Sequence, residues 1–310
     1  MKPLDVVGLG EVCIDWTIYV EKFPEIDEKI FVKEYGKFVG GVTANFLVAF
    51  SRLGGRAGFL GGVGEDENGR LVFEALNKEK IDLKHLKVWK GRRTALNVVI
   101  VDGKGRKCIY QDPFLMYNVP DPEDVTEEYL SKALHVHTTA IKVESAVKAF
   151  KVAYKLGLTT SLDLEKHVAD YGLEPLKNVL KYTTILMPNK LGIRALTGER
   201  DLVKAARKIM KYGPEVVVIT RGDKGSIVVT GSGTTSVPAF KVRVVDTTGA
   251  GDTFNAAFIY AITVKKWDYE KSMIFANAAA ALKCTRPGAQ SSPTIEEVRE
   301  FLRSRKISIL

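Results

Sequence analysis

The densest chemistry in the chain lies in Asp246-Thr-Thr-Gly-Ala-Gly-Asp252-Thr-Phe254. A valine-rich run, Lys241 to Val245, reads as a strand feeding this turn, and the apolar stretch Asn255 to Val264 reads as a helix leaving it. A helix start presents backbone N–H groups that have no intrahelical partner, and the helix dipole adds partial positive charge there. Gly249 and Gly251 lack a Cβ, so an anion can come close to the backbone. Asp252 places a carboxylate at the mouth of that anion site, an electrostatic conflict unless the carboxylate removes a proton. Phosphoryl transfer needs both parts. Amides of Gly249, Ala250 and Gly251 would hold the moving phosphoryl group while Asp252 deprotonates a hydroxyl. The plain alternative for Asp252 alone is a helix N-cap. A second aspartate, Asp246, across the glycine-containing turn favours the site.

Other residue groups narrow the chemistry. Gly40-Gly41 lets the backbone approach a ligand, and Asn45 follows within one helical turn, offering a donor and an acceptor to vicinal hydroxyls. Asp15 can accept two hydrogen bonds from a diol. Gly8-Leu-Gly10 hints at a dinucleotide fingerprint, but Cys13 stands where the third glycine belongs. There is no G-x-x-x-x-G-K-[ST] run, and no His-Arg-Asp or Asp-Phe-Gly triplet, which excludes P-loop and protein-kinase mechanisms. His135 and His137 alternate on a strand, a spacing that suits metal ligation, yet no third ligand is in view and packing is the favoured reading.

The elements that must position these groups follow from the pattern. Short β-rich runs (Asp5–Leu9, Ala57–Val63, His135–Thr139, Thr159–Leu164, Thr183–Met187, Val216–Thr220) alternate with amphipathic helical stretches (Thr43–Leu53, Asn68–Glu79, Ser145–Leu156, Leu202–Tyr212). The expected fold class is α/β: a doubly wound, mostly parallel sheet with ligands at the carboxyl ends of its strands. Cys13–Val39 and Arg92–Asp112 interrupt this order with strand-like alternation, and Asp102-Gly-Lys-Gly105 marks a turn. They predict a small separate β-sheet over residues 13–39 and 92–112, with residues 1–12, 40–91 and 113–310 forming the core.

The chain has 310 residues, 45% hydrophobic and 27% charged, with ample material for a core. No apolar run is long enough to cross a bilayer and no signal peptide opens the chain, so no membrane partner is expected. Three widely spaced cysteines suit a reducing cytoplasm. The net charge of +9 is dispersed, without an aromatic-basic platform, so no nucleic-acid partner is expected.

Asp246 to Phe254 resembles the C-terminal motif of the ribokinase-like (PfkB) sugar kinases. Gly40-Gly-Val-Thr-Ala-Asn45, Arg52-Leu-Gly54 and Gly61-Gly-Val-Gly64-Glu-Asp66-Glu-Asn-Gly69 resemble the N-terminal motif of that family. Thr220-Arg-Gly222-Asp-Lys-Gly225 is similar to its nucleotide-side turn, and Thr285-Arg-Pro-Gly288-Ala289 to its C-terminal loop. These blocks occur in family order over nearly the whole chain. The resemblance implies an ATP-dependent kinase with Mg²⁺, acting on a sugar or sugar-like hydroxyl. It implies that Asp15, Gly40, Gly41, Asn45 and Asp252 form the sugar-binding set. It places Asn189, Thr220, Gly222, Gly225 and Asn277 on the nucleotide side. It also implies potassium held by carbonyls of Asp246, Thr248 and Gly288 and the Ser292 hydroxyl, and it makes the small β-sheet a lid over the sugar site and the surface of a homodimer. The chain departs from the family pattern at Gly192, where a metal-holding Glu is usual; Glu199 and Asp163 are candidate substitutes. A nucleoside acceptor and a catalytically silent binding protein are the alternatives, and Arg93, Asn97, Gln111 and Lys142 are candidates to reach the acceptor.

Overall fold

The computed structural model describes residues 2–104 and 106–308. The strands, in chain order, are β1 (Val6–Leu9), β2 (Cys13–Val20), β3 (Val32–Gly40), β4 (Ala57–Leu60), β5 (Gly62–Gly64), β6 (Lys87–Trp89) and β7 (Leu96–Val101). They continue with β8 (Lys107–Tyr110), β9 (His135–Thr138), β10 (Thr159–Leu164), β11 (Ile185–Pro188), β12 (Val216–Thr220), β13 (Ser226–Thr230) and β14 (Thr234–Val237).

The large sheet has the order β14-β13-β12-β11-β10-β9-β1-β4. From β12 to β4 every pair is parallel, and β13 and β14 close the other edge antiparallel. Helices cover both faces, so alternate side chains of one strand enter different cores. Val216 and Val218 of β12 pack with the helices Val42–Arg52, Ala250–Thr263 and Tyr269–Cys284, whereas Val217 and Ile219 face the opposite layer. This two-sided burial explains why the central strands read as continuous apolar runs. Beyond β1 the chain adds β4 on one side and later β9 on the other, so strand order reverses there. That reversal opens a crevice at the carboxyl ends of the strands, where ligands of such sheets bind.

The predicted lid is a separate sheet of order β3-β2-β7-β8. Asp15 pairs across the sheet with Phe38 and Asn97, so these three share the face toward the large sheet. Trp16, Tyr35 and Tyr110 belong to the outer face by the same alternation, and Trp16 and Tyr35 meet edge-on with ring centroids 6.5 Å apart. The turn after β7 is held by Asp102, whose Oδ1 accepts the N–H groups of Lys104 and Arg106. Gly105, which the sequence reading included in that turn, lies outside the described residues.

Three sequence expectations need correction. Lys241–Val245 is extended but belongs to no strand. Its valines have the propensity, yet β14 already forms the sheet edge and the chain leaves it at Pro238, which has no N–H for a further ladder bond. Val244 and Val245 stay exposed as a result. The single run Ala57–Val63 splits at Gly61 into β4 and β5, and β5 pairs with β6 in a small sheet of its own. The sheet is mostly parallel as expected, but the antiparallel hairpin of β13 and β14 was not placed by the sequence pattern. His135 and His137 are packed rather than ligating. Both bond Ser161 Oγ at 2.7 Å, His137 stacks on Phe46 with centroids 3.7 Å apart, and burial pushes the His135 pKa down to about 3.

Candidate active site

The loop from Asp246 turns into the helix Ala250–Thr263 through Gly249, whose φ of 79° is left-handed. A side chain there would also clash with the Ala289 carbonyl, so only glycine satisfies both demands. The Ala250 N–H is directed to the Thr247 carbonyl at 3.2 Å. Nothing lies within 4 Å of the position a Gly251 Cβ would take, so the helix start is open on that side.

Asp252 is the third residue of this helix, which rules out the N-cap reading. It is 9% exposed, and its Oδ2 accepts from Asn45 Nδ2 at 2.8 Å. Burial pushes its pKa up to about 7, with further upward pressure from Glu165 and Glu11 against the pull of Asn45 and Lys283. Asn45 sits in the helix Val42–Arg52, buried, with its Oδ1 unpartnered among the described residues. That orphan oxygen is free to accept a hydrogen bond.

Asp15 Oδ1 accepts from Asn97 Nδ2 at 3.0 Å and from the Cys13 thiol at 3.4 Å, and burial raises its pKa. Gly40 lies directly behind the Asp15 carboxylate, leaving no room for a side chain, whereas Gly41 lines the cleft itself. Asn97 and Gln111 also line the cleft. Arg93 and Lys142 do not: Arg93 is paired with Asp112, and Lys142 with Asp121 and the Val119 carbonyl.

These groups surround one cleft of about 960 Å³ that continues to Asn189, Thr220, Gly222, Gly225 and Asn277. Asn189 caps the helix Lys190–Thr197 through a 2.7 Å bond to the Gly192 N–H, and it bridges Thr220 at the end of β12. Asn277 donates to the carbonyls of Val237 and Pro238, fixing the wall of the cleft, and Ala280 and Ala281 leave space beside it. Asp15, Gly41, Asn45 and Asp252 thus line the same cleft as Asn189, Thr220, Gly222, Gly225 and Asn277.

Sequence reasoning missed two carboxylates here. Glu165 follows β10 directly, at a carboxyl end facing the crevice, and lines the cleft beside His167. Glu11 is buried and accepts from Thr139 Oγ1 at 2.8 Å and Thr43 Oγ1 at 3.2 Å. The usable signal was position: both fall just past an apolar strand. Asp163 and Glu199, the substitutes considered for the absent Glu, are placed elsewhere. Asp163 is buried against Asn255, bonded at 2.8 Å, and Glu199 lies beyond the far end of its helix. Gly192 itself is packed on the Leu164 carbonyl, so a Glu side chain has no room there. Among the described residues no three His, Cys, Asp or Glu side chains form a metal cluster. Glu165, its pKa raised by burial and by Glu11, lines the cleft and is one carboxylate available to a divalent cation carried in by phosphates.

The implied potassium ligands are not a free set. The Asp246 carbonyl accepts the Lys283 ammonium at 2.9 Å, and the Gly288 carbonyl accepts the Ser291 hydroxyl at 2.8 Å. Asp246 Oδ1 takes Thr248 N–H and Oγ1, and Oδ2 takes the Gly288 N–H. Ser292 Oγ is buried and lacks a partner among the described residues. These residues do not fit a dehydrated potassium ion.

The doubly wound sheet, the small four-stranded sheet and a cleft running from Asp15 to the start of the Ala250–Thr263 helix define an α/β architecture with one extended cleft. Residues 4–296 match the family model described as pfkB family carbohydrate kinase, and the chain belongs to that family. It is accordingly a phosphotransferase, a kinase of sugar-type acceptors. It is 31% identical over 97% of its length to the ATP-dependent ribose-1-phosphate kinase of Halopiger xanaduensis, covering 98% of that protein. It is 30% identical to the 5-dehydro-2-deoxygluconokinase of Geobacillus kaustophilus, over 97% of this chain and 94% of the other. The Arabidopsis thaliana ribokinase solved with ribose and ATP superposes with a TM-score of 0.86 at 27% identity, covering 97% of this chain and 99% of that one.

Proposed function

We propose that the chain transfers the γ-phosphoryl group of ATP to a hydroxyl of a sugar or sugar derivative, with Asp252 as general base. The observation that carries this reading is the Asp252 carboxylate, buried beside an open helix start, held by Asn45 at 2.8 Å and tuned to a pKa of about 7. The acceptor rests between Asp15, Gly41 and Asn45, with Gly40 backing the Asp15 carboxylate. ATP lies along Asn189, Thr220, Gly222, Gly225 and Asn277. As the acceptor O–H proton passes to Asp252, the oxygen bonds the γ-phosphorus and the bond to the ADP oxygen breaks. Amides of the Gly249-Ala250-Gly251 turn receive the charge on the phosphoryl oxygens, which requires Ala250 to release the Thr247 carbonyl. Mg²⁺ bound with the nucleotide would neutralise phosphate charge, and Glu165 would face it.

The lid, residues 13–39 and 92–112, closes over the acceptor and excludes water, while 1–12, 40–91 and 113–310 form the core. Lys107 of the lid already reaches the Thr248 hydroxyl at 2.6 Å, a tie between lid and phosphate loop. Three free thiols suit a reducing, cytoplasmic setting, and no helix among the described residues is long and apolar enough to cross a membrane. Sugar acceptors are favoured over nucleosides because the relatives above are named for sugars.

The test is ADP release from ATP and Mg²⁺ across a panel of pentoses, hexoses, ribose 1-phosphate, deoxygluconate derivatives, polyols and nucleosides. Turnover concentrated on one sugar-type acceptor is expected. Turnover on nucleosides alone would overturn the acceptor class.

A further inference from the structure

Beneath the helix start lies a charged side chain that the phosphoryl-transfer chemistry does not use. Lys283, on the helix Tyr269–Cys284, has a side chain with 0% exposure. Its Nζ donates to the Asp246 carbonyl at 2.9 Å and reaches the Arg286 carbonyl at 3.4 Å, with Asp246 Oδ2 at 3.9 Å. An ammonium loses its hydration when buried and is retained only where oxygens replace the water. Here the replacement is two backbone carbonyls and one carboxylate, the kind of oxygen set that holds a dehydrated monovalent cation. The two carbonyls come from different segments. Asp246 opens the loop that ends at Gly249, and Arg286 opens the turn that reaches Gly288. Asp246 Oδ2 joins the same segments through the Gly288 N–H at 2.9 Å.

We propose that the Lys283 ammonium is a built-in monovalent cation: it ties the Asp246–Gly249 loop to the Arg286–Gly288 turn, so that this kinase works without potassium. A tethered charge is present at every salt concentration and loses no translational freedom on binding, which a free ion must. It also repels any second cation that would use the same Asp246 carbonyl. Of the implied ligands, Ser292 Oγ lacks a partner among the described residues, and a single hydroxyl does not make a cation site. Lys283 touches no substrate; it is a positioning residue for the phosphate-binding loop.

The proposal rests on the kinase reading for its activity arm only, so two readouts are paired. Turnover and thermal midpoint are measured for the wild-type protein, Lys283→Ala and Lys283→Met, in potassium chloride and in tetramethylammonium chloride at equal ionic strength. The wild type is expected to show less than a twofold difference in turnover between the salts and no shift of midpoint. Lys283→Ala, which opens the space, should lose at least tenfold in tetramethylammonium, then recover turnover and gain midpoint in potassium. Lys283→Met keeps the stem without the charge and should stay slow in tetramethylammonium; it is read if the alanine variant does not fold. A tenfold potassium activation of the wild type, or full turnover of both variants without potassium, would overturn the proposal. If the wild type turned over no acceptor, the kinase reading would be at fault. The midpoints would still decide the cation question, since potassium raising the wild-type midpoint overturns it and raising only that of Lys283→Ala supports it.

Discussion

As the proposed base, Asp252 would meet two demands that conflict in an ordinary surface carboxylate: it must be ionised to take a proton, and it must be shielded from water. Burial first, and Glu165 and Glu11 next, raise its pKa to about 7, so ionisation falls within the neutral range. The sign for activity is direct: as pH falls below about 7 the base is protonated and kcat/KM declines with unit slope. A pH–rate profile flat from pH 8 down to pH 5 would contradict the assignment. The sign for stability is opposite. A carboxyl whose folded pKa lies above its unfolded value of 3.8 favours the fold at low pH. That contribution is lost as pH rises through the window from about 4 to 7. The ionised base is therefore a cost borne by the fold at neutral pH, a common feature of functional sites. Asp252, Asn45 and Asp15 were legible in the sequence because glycine-containing motifs flank or precede them. Glu11, Glu165 and Lys283 were not, because their roles depend on which strand ends and helix faces become neighbours.

At the scale of elements, the lid turns on strand alternation. Its inner face carries Asp15 and Asn97, and its outer face carries Trp16, Tyr35 and Tyr110, the last two 69% and 63% exposed. Aromatic side chains left open on a regular sheet face offer a surface for a second copy of the same chain, related by a two-fold axis. Sedimentation equilibrium should therefore give a dimer that Tyr35→Glu converts to monomer with the fold intact. A wild-type monomer at micromolar concentration would remove this reading. Alternation at Ile14, Trp16, Ile18 and Val20, and at Leu96, Val98 and Ile100, made the small sheet legible. The segment Lys241–Val245 shows the limit of the same signal. Valine content reports a fit to a pleated surface but not whether a neighbouring strand has a free edge to receive it. The hairpin of β13 and β14 takes that edge, and the extended segment instead lines the cleft through Lys241, Val242 and Val244.

For the whole molecule, the reversal of strand order at β1 sets where chemistry occurs. Both ends of the cleft are built from strand carboxyl ends and from two helix starts, those of Val42–Arg52 and Ala250–Thr263, which the Asn45–Asp252 hydrogen bond brings together across 207 residues of chain. The βαβ rhythm made the parallel part of this architecture readable, since each strand and helix carries its own period. The single most direct test of the account is turnover on the best acceptor by wild-type protein and Asp252→Asn, with ATP affinity measured on the same samples. The account predicts a loss of at least roughly 10³-fold in kcat with ATP affinity within about threefold of wild type and a folded protein that melts no lower at pH 8. An Asp252→Asn protein that binds ATP and turns over at near the wild-type rate would contradict it.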